Sequence, residues 1–454
     1  MREAVTFAGS FMQSFTSMGP MLDIVALFSA IAFYSGIYLG LVMLLSFCSA
    51  LSAMYVIQSL SKKFQSNGGY YLFAGEALGK DIGIFASFIY TSYALLTIPS
   101  ISLFVSYFVL STFLKGIHFA ALFTYIIPLV FLISTVGIVY LGLGRSIKYT
   151  LVAGIIEFVF ITVLDVLFFK NASASIPPIF PVNLHGVASV FTGVVFGILV
   201  FSGMESPVYL SENTEGRRRT VPRALVYSYL TTGILLVISA FSILLFLGSE
   251  GLEKYVSSPL VIENFIHIIL GPVVYILFLI LAILSSLNLC VAYSNSVLNE
   301  IRRMSEDGIL PIVLGNWRNI VITFFILEGG IGLIANVLLG NFLGFVVIAA
   351  IVSFSYMAVQ FIGGLSLIWL SANSGQIKSL LIASLSVIII SLTLIFSLYI
   401  DIFGNGPTRI SLVAFLVILI VSFSISYVGK TKFPDWYDGI EMFNSIKEAD
   451  DINW

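Results

Sequence analysis

The stretch VASVFTGVVFGILVFSGMESPVYLSENTEGRRRTVPRA, Val187 to Ala224, decides how the rest of the chain is read. Its largely apolar first part, Val187 to Phe201, covers only about 22 Å at 1.5 Å per residue, short of the roughly 30 Å hydrocarbon core of a bilayer. It then meets Phe201, Ser202 and Gly203, an acid at Glu205 and a proline at Pro207. It resumes through Val208, Tyr209 and Leu210 and ends in Arg217, Arg218 and Arg219. Unpaired peptide groups in hydrocarbon cost several kcal/mol each, so an interruption here must find its freed groups a partner. One reading is a proline-kinked span with an acid near its cytoplasmic end. The other is a broken helix lining a solute cavity, where freed amides and carbonyls replace a water shell.

Composition sets the class. The 454-residue chain is 59% hydrophobic and 14% aromatic, and only 10% of it is charged. Soluble domains are about a quarter charged, so this is an all-α integral membrane protein. A net charge of −2 points to no partner, and nothing supports nucleic-acid binding. Cys48 and Cys290 sit inside apolar runs and read as small core residues, not a disulfide or metal pair. Met1-Arg2-Glu3 leads into a segment with Gln13, Gly19, Pro20 and Asp23, a poor signal-peptide core, so the N-terminus is expected to be retained.

Hydropathy windows give twelve spans, at roughly 4–33, 37–61, 83–111, 119–143, 147–169, 187–212, 221–248, 267–298, 319–339, 342–370, 376–400 and 408–428. With the N-terminus inside, only Lys115, Lys170, Lys254 and Arg409 of the 21 basic residues fall outside. That bias orients the chain with both termini cytoplasmic. The triple arginine reads as an orientation signal, and the cell membrane is the expected location.

Other membrane chemistries lack their residues. Gly75-Glu76-Ala77-Leu78-Gly79-Lys80-Asp81 is one residue short of a phosphate-binding loop and has no hydroxyl after the lysine. No glycine-aromatic filter repeats. His118, His185 and His267 fall at span ends without metal-ligand spacing, so no metal or cofactor is expected. No nucleophile-base-acid set emerges, which leaves an enzyme as a remote alternative.

A second interruption favours a carrier. Ser14-Phe15-Thr16-Ser17-Met18-Gly19-Pro20 places Gly19 in span one, as Gly203 lies in span six. These are corresponding members of two five-span halves, 1–169 and 187–370. Two further helices at 376–428 and a tail at 429–454 follow. Paired interruptions in matching spans point to a binding site between repeats. Gly193 and Gly197, spaced four apart, should let span six approach a neighbour closely.

Three local motifs then agree with one family. Gly203-Met204-Glu205-Ser206 followed by Val221-Pro222-Arg223-Ala224-Leu225 resembles the sixth-span signature of amino acid permeases, members of the amino acid–polyamine–organocation (APC) superfamily. Ser66-Asn67-Gly68-Gly69-Tyr70-Tyr71 is similar to that family's loop between spans two and three. Arg302-Arg303-Met304-Ser305-Glu306-Asp307-Gly308-Ile309-Leu310-Pro311 resembles its motif after span eight, although Ser305-Glu306 replaces the more usual Ala-Arg. The resemblance covers roughly the first 430 residues. It implies the inverted five-plus-five repeat (LeuT-like) fold with two added C-terminal helices and with helices 1 and 6 broken.

Carried over, the resemblance places a substrate α-carboxylate near the amides around Ser17, Met18 and Gly19, where an exposed helix N-terminus attracts anions. The α-ammonium would meet carbonyls at Phe201, Ser202 and Gly203. Phe201 is either a lid on the substrate side chain or packing. Tyr90 and Tyr93 either face the cavity or pack. Glu205 matches a near-universal family acid and suggests gating.

Energy coupling is expected from the intramembrane acids Asp23, Glu157, Asp165, Glu205 and Glu328. Glu157 falls where several proton-coupled relatives carry a lysine. Ser285 and Ser286 fall near hydroxyl ligands of sodium-coupled relatives, with back-bonding to the preceding helical turn as their other reading. Asp165 is expected solvated at the outer interface beside Lys170. Asp23 and Glu328 read as structural partners for neighbouring helices. Phe433, Trp436 and Tyr437 place the tail at an interface or in the cytoplasm.

The sequence therefore points to a proton-coupled amino acid transporter working by alternating access in a lipid bilayer. With no run of acids or bases near the site, a small or apolar neutral amino acid fits better than arginine or a polyamine. A sodium symporter, an uncoupled exchanger, and a membrane sensor or accessory subunit that binds without moving solute stay open. The oligomeric state is not encoded in any feature of the sequence.

Overall fold

A computed structural model describes residues 5–113, 120–173, 180–181, 183–257, 261–403 and 409–440. Met1–Glu3, Lys115, His118, Lys447 and the rest of the tail after Ile440 lie outside these residues, as does the side chain of His185.

The described residues form helices in the order α1 (Phe7–Met18), α2 (Pro20–Ser35), α3 (Leu39–Lys63), α4 (Tyr70–Leu78), α5 (Lys80–Phe113), α6 (Ala120–Tyr140), α7 (Leu143–Lys170), α8 (Leu184–Gly197), α9 (Arg217–Ser257), α10 (Val261–Leu270), α11 (Pro272–Glu306), α12 (Trp317–Asn373), α13 (Ile377–Phe403), α14 (Arg409–Lys432) and α15 (Pro434–Asp438). Short 3₁₀ turns at Ile198–Phe201 and Ser206–Asn213 follow α8. Side chains close the helix starts where the first amides would otherwise be orphaned. Thr6 Oγ1 accepts from the Gly9 amide at 3.3 Å, and Asn183 Oδ1 accepts from Gly186 at 2.7 Å.

Ten of the described segments are long and apolar enough to cross a bilayer. Two of them, Phe7–Lys63 and Trp317–Asn373, are 57 residues each. At 1.5 Å per residue either would run about 85 Å if straight, more than two bilayer cores. Neither is straight: backbone departs from helix at Gly19 and Gly36 in the first and at Gly340 in the second. The chain is a multi-pass membrane protein.

The long helix α5 runs through the middle and packs on α4, α6, α11, α12 and α14. Helices α13 and α14 lie at the periphery, with large apolar side chains such as Leu381, Leu392, Val413 and Ile420 exposed, as lipid contact requires. Gly193 and Gly197 do set close packing. A Cβ at Gly193 would stand 2.8 Å from Ser35 Cβ, and one at Gly197 would strike Ser46.

Three sequence expectations change. Cys48, read as a core residue, is exposed, while Cys290 is buried. Span eight starts at Pro272, not 267, because residues 261–270 form the separate helix α10. Asp165 is not solvated at an interface. It is buried, and its two oxygens accept from Ser239 at 2.8 Å and Ser242 at 2.7 Å on α9.

Candidate functional site

Helix α1 ends where Gly19 turns into the left-handed region, φ 61°, ψ 54°. Pro20 follows as the first residue of α2, where its fixed φ suits a helix start and its missing N–H is no loss. On the other side, Ser202 is extended and Gly203 has φ 90°, between the two 3₁₀ turns. The two interruptions touch. Ser17 Oγ donates to the Gly203 carbonyl at 2.6 Å, and Ser14 Oγ donates to the Met204 carbonyl at 2.9 Å. A Cβ on Gly203 would stand 2.6 Å from the Ser17 carbonyl oxygen and 2.8 Å from the Tyr293 hydroxyl, so no side chain fits there.

Beside them lies a cavity of about 130 Å³, bordered by α2, α5, α11, α12 and the chain from Phe196 to Ser202. Of the residues expected at the site, Met18 and Ser202 line it. Ser17 and Gly203 sit behind the wall in the contact between the two interruptions, and Gly19 lies against Leu289 of α11. Phe201 is buried against Phe47 and Tyr229, with ring centroids 6.1 and 5.2 Å away, and does not reach the cavity.

Tyr90 and Tyr93 fill the opposite side. On α5, Thr97, Ser100 and Ile101 border the cavity, while Tyr93 and Tyr90 lie one and two turns nearer Lys80. Tyr90 stacks on Tyr209 at 4.1 Å and meets Tyr70 at 6.2 Å. Tyr93 packs on Tyr356 at 5.6 Å and shares a hydroxyl–hydroxyl hydrogen bond with Tyr293, which reaches the cavity. Glu205 is buried against this cluster, and its Oε2 has no hydrogen-bond partner among the described residues. The hydroxyls of Tyr70 and Tyr209 and Oε1 of Glu300 are likewise without one.

Beyond the tyrosines, the three motifs singled out in the sequence meet. Glu212 Oε1 accepts from Ser66 Oγ at 2.5 Å and from the Asn67 amide at 3.0 Å, and lies 3.7 Å from Arg303. Arg303 also pairs with Asp307 at 2.6 Å, and Tyr71 donates to Asp307 at 3.1 Å. The tail docks on the same end. Trp436 donates to the Gly308 carbonyl at 3.0 Å, and Tyr437 donates to Asp81 at 2.5 Å.

Glu157 stands at the start of α2. Its Oε1 accepts from the Met21 amide at 3.0 Å and from Ser285 Oγ at 2.5 Å, and its Oε2 accepts from Asn288 Nδ2 at 3.1 Å. Ser285 Oγ in turn accepts from the Leu22 amide at 3.1 Å. Ser286 back-bonds to the Ala282 carbonyl at 2.9 Å. The start of α2, where an anion was expected, is thus occupied by a carboxylate of the protein itself.

The amino acid permease family matches residues 5–423, almost the whole length. The chain belongs to the amino acid permease family of the APC superfamily. No curated protein matches this permease. The family is one of transporters, so its members' business is amino acid transport across a bilayer. The sequence reading took Asp23 for a coupling or structural acid and missed its place in the cavity wall, and Asn288 on Glu157 and Tyr209, Tyr293 and Tyr356 in the aromatic cluster escaped it. One signal was available, since Ser285, Asn288, Leu289 and Tyr293 follow helical spacing and lie on one face of α11.

Proposed function

We propose that this permease is a secondary active amino acid transporter working by alternating access, with protons as the coupling ion. Its twelve crossings would arise by division of each 57-residue segment into two. Residues 1–169 and 187–370 would form inverted repeats, followed by the pair at 376–428 and the tail at 429–454, and helices one and six would be broken at Gly19 and Gly203. Both termini would be cytoplasmic, as the basic residues suggest.

One observation carries this reading: the interruptions have a cavity on one side and a wall of tyrosines on the other. A carrier caught between exposures needs that asymmetry, because the solute site must be open to one compartment and sealed from the other. The apolar wall of Leu22, Ala26, Leu27, Ile31 and Ile101 fits a small or apolar side chain. Unpartnered polar atoms among the tyrosines would gain water when that side opens, which keeps the sealed state from being too stable.

Proton coupling is favoured over sodium by the chemistry around Glu157. Its oxygens face N–H and O–H donors, and the Ser285 hydroxyl is committed as both donor and acceptor. A sodium ion needs oxygen lone pairs, and this cluster spends them on protons. The experiment is uptake of a radiolabelled amino acid panel into liposomes under an imposed proton or sodium gradient. Uptake driven by the proton gradient is expected. Uptake that needs internal amino acid would make it an exchanger, and binding without flux would make it a sensor.

A further inference from the structure

We propose that the cavity recognises its solute by an ammonium group held at Asp23, and that a solute carboxylate is dispensable. This inference rests on the carrier reading for the claim that the cavity is the solute site, and it adds what that site selects.

Asp23 lies one turn past Gly19 on α2 and lines the cavity with only 3% of its surface exposed. Among the described residues its Oδ2 has no hydrogen-bond partner, and no lysine, arginine or histidine borders the space. A buried carboxylate without a partner is a strong preference for something cationic. Three of the hydroxyls bordering the cavity, where Ser202, Tyr293 and Tyr356 supply the others, point the same way. Thr97 donates its proton to the Tyr93 carbonyl at 2.9 Å, Ser100 to Phe345 at 3.2 Å and Ser353 to Ala349 at 2.8 Å. With those protons committed to backbone, each oxygen offers lone pairs to the cavity. A primary ammonium has three donors and no acceptor, which complements such a wall.

The place where a carboxylate would dock is filled. Pro20 has no N–H, the Met21 amide is held by Glu157, the Leu22 amide by Ser285, and the Asp23 amide by the Gly19 carbonyl at 2.9 Å. The α2 terminus, which would otherwise attract an anion, is neutralised from within. The solute class is therefore a primary amine on a small or apolar skeleton, with the zwitterionic amino acid as one member.

The test uses purified full-length permease and matched probes: isoamylamine, L-leucine and 4-methylpentanoate, then ethylamine, L-alanine and propionate for a smaller skeleton. Each trio keeps the carbon chain and varies only the charged ends. Thermal stabilisation against probe concentration gives affinity, since a ligand that binds only the folded state raises its stability by mass action. In at least one trio the amine should bind as tightly as the amino acid or better, and the acid at least tenfold more weakly. Asp23→Asn should weaken the amine at least tenfold. Equal affinity for acid and amine, no stabilisation by any amine, or an Asp23→Asn protein that binds amine like wild type would each overturn the proposal. If Asp23→Asn does not fold, the wild-type trio alone decides. Labelled-leucine flux into liposomes separates the two ideas: Asp23-dependent amine binding without flux removes the carrier and leaves the ammonium site. Flux unaltered by Asp23→Asn removes the ammonium site and leaves the carrier.

Discussion

On the α2–α8 side of the helix interruptions, Asp23, Thr97, Ser100 and Ser353 border open space; on the α1 side, Tyr70, Tyr90, Tyr93 and Tyr209 fill it. Both sides are rich in polar atoms, yet they use them differently. The open side has hydroxyls already bonded to backbone and one carboxylate oxygen left over. The closed side stacks aromatic rings, leaves several polar atoms unmatched, and is bolted beyond by Glu212, Arg303 and Asp307. Packing of large rings adds to the seal directly, whereas the Arg303–Asp307 pair is largely buried, so the cost of desolvating its charges offsets much of its attraction. Between the two sides lie the contacts of Ser17 with Gly203 and of Ser14 with Met204, and the Tyr93–Tyr293 hydrogen bond.

Gly203→Leu attacks the contact with Ser17 and should have the largest effect. The new side chain would need the space held by the Ser17 carbonyl and the Tyr293 hydroxyl, and it would do so from a backbone with φ 90°. Uptake and binding should both disappear while the protein still reaches the membrane. Affinity equal to wild type would show that the interruption has no part in the site.

Glu157→Gln tests whether the filled start of α2 serves coupling or only architecture. Glutamine keeps the shape and can still accept from Met21, but it carries no titratable proton. Uptake should lose its dependence on the proton gradient, about tenfold or more at the most favourable pH, while downhill exchange persists. A pH profile superimposable on wild type would return Glu157 to a structural role and reopen the coupling question.

Tyr209→Ala weakens the closed side only. Removing a ring stacked at 4.1 Å on Tyr90 leaves a void of the kind that destabilises a packed arrangement by about 3–5 kcal/mol before relaxation. If the closed side rests on this stack, the equilibrium should move toward opening there, lowering apparent affinity for externally added solute several-fold. Hydrogen exchange in 64–71 and 206–213 should rise. Unchanged exchange would mean that the Glu212–Arg303–Asp307 lock, not the tyrosines, keeps that side shut.

Much of this contrast was visible in the sequence, and the reason is local. Gly19 directly before Pro20, and Gly203 with Glu205 and Pro207 close behind it, leave a mark in an apolar run whatever surrounds them, and both glycines take positive φ. The segments 66–71, 203–213 and 302–311 could likewise be picked out one by one, though not that they meet. Asp23 was read as a structural partner because its direction depends on how α2 rolls against α5, α11 and α12, which no pattern within α2 reveals. Asp165 was misplaced for the same reason: Ser239 and Ser242, which hold it, lie more than seventy positions along the chain. The tyrosines carried no signal of their own, since an aromatic residue in a membrane helix packs somewhere in any fold.

Asp307 offers the smallest and finest test, because it asks whether charge or burial rules the lock. Burial pushes its carboxyl up to about 6 from an ordinary 3.8, although Arg303 and the Tyr71 hydroxyl pull the other way. A folded-state value above the unfolded one means that the folded protein holds this proton more tightly. The resulting stabilisation is complete below pH 3.8 and fades as pH rises toward about 6. Across that window wild type should lose on the order of 3 kcal/mol relative to Asp307→Asn, whose side chain does not titrate. Thermal unfolding of both proteins between pH 4 and 7 reads this directly, with neutral-pH transport little changed. A wild-type advantage that grows with pH would show the ion pair with Arg303 outweighing burial. The lock would then be electrostatic and salt-sensitive, and the contrast with the tyrosine seal sharper than packing alone makes it.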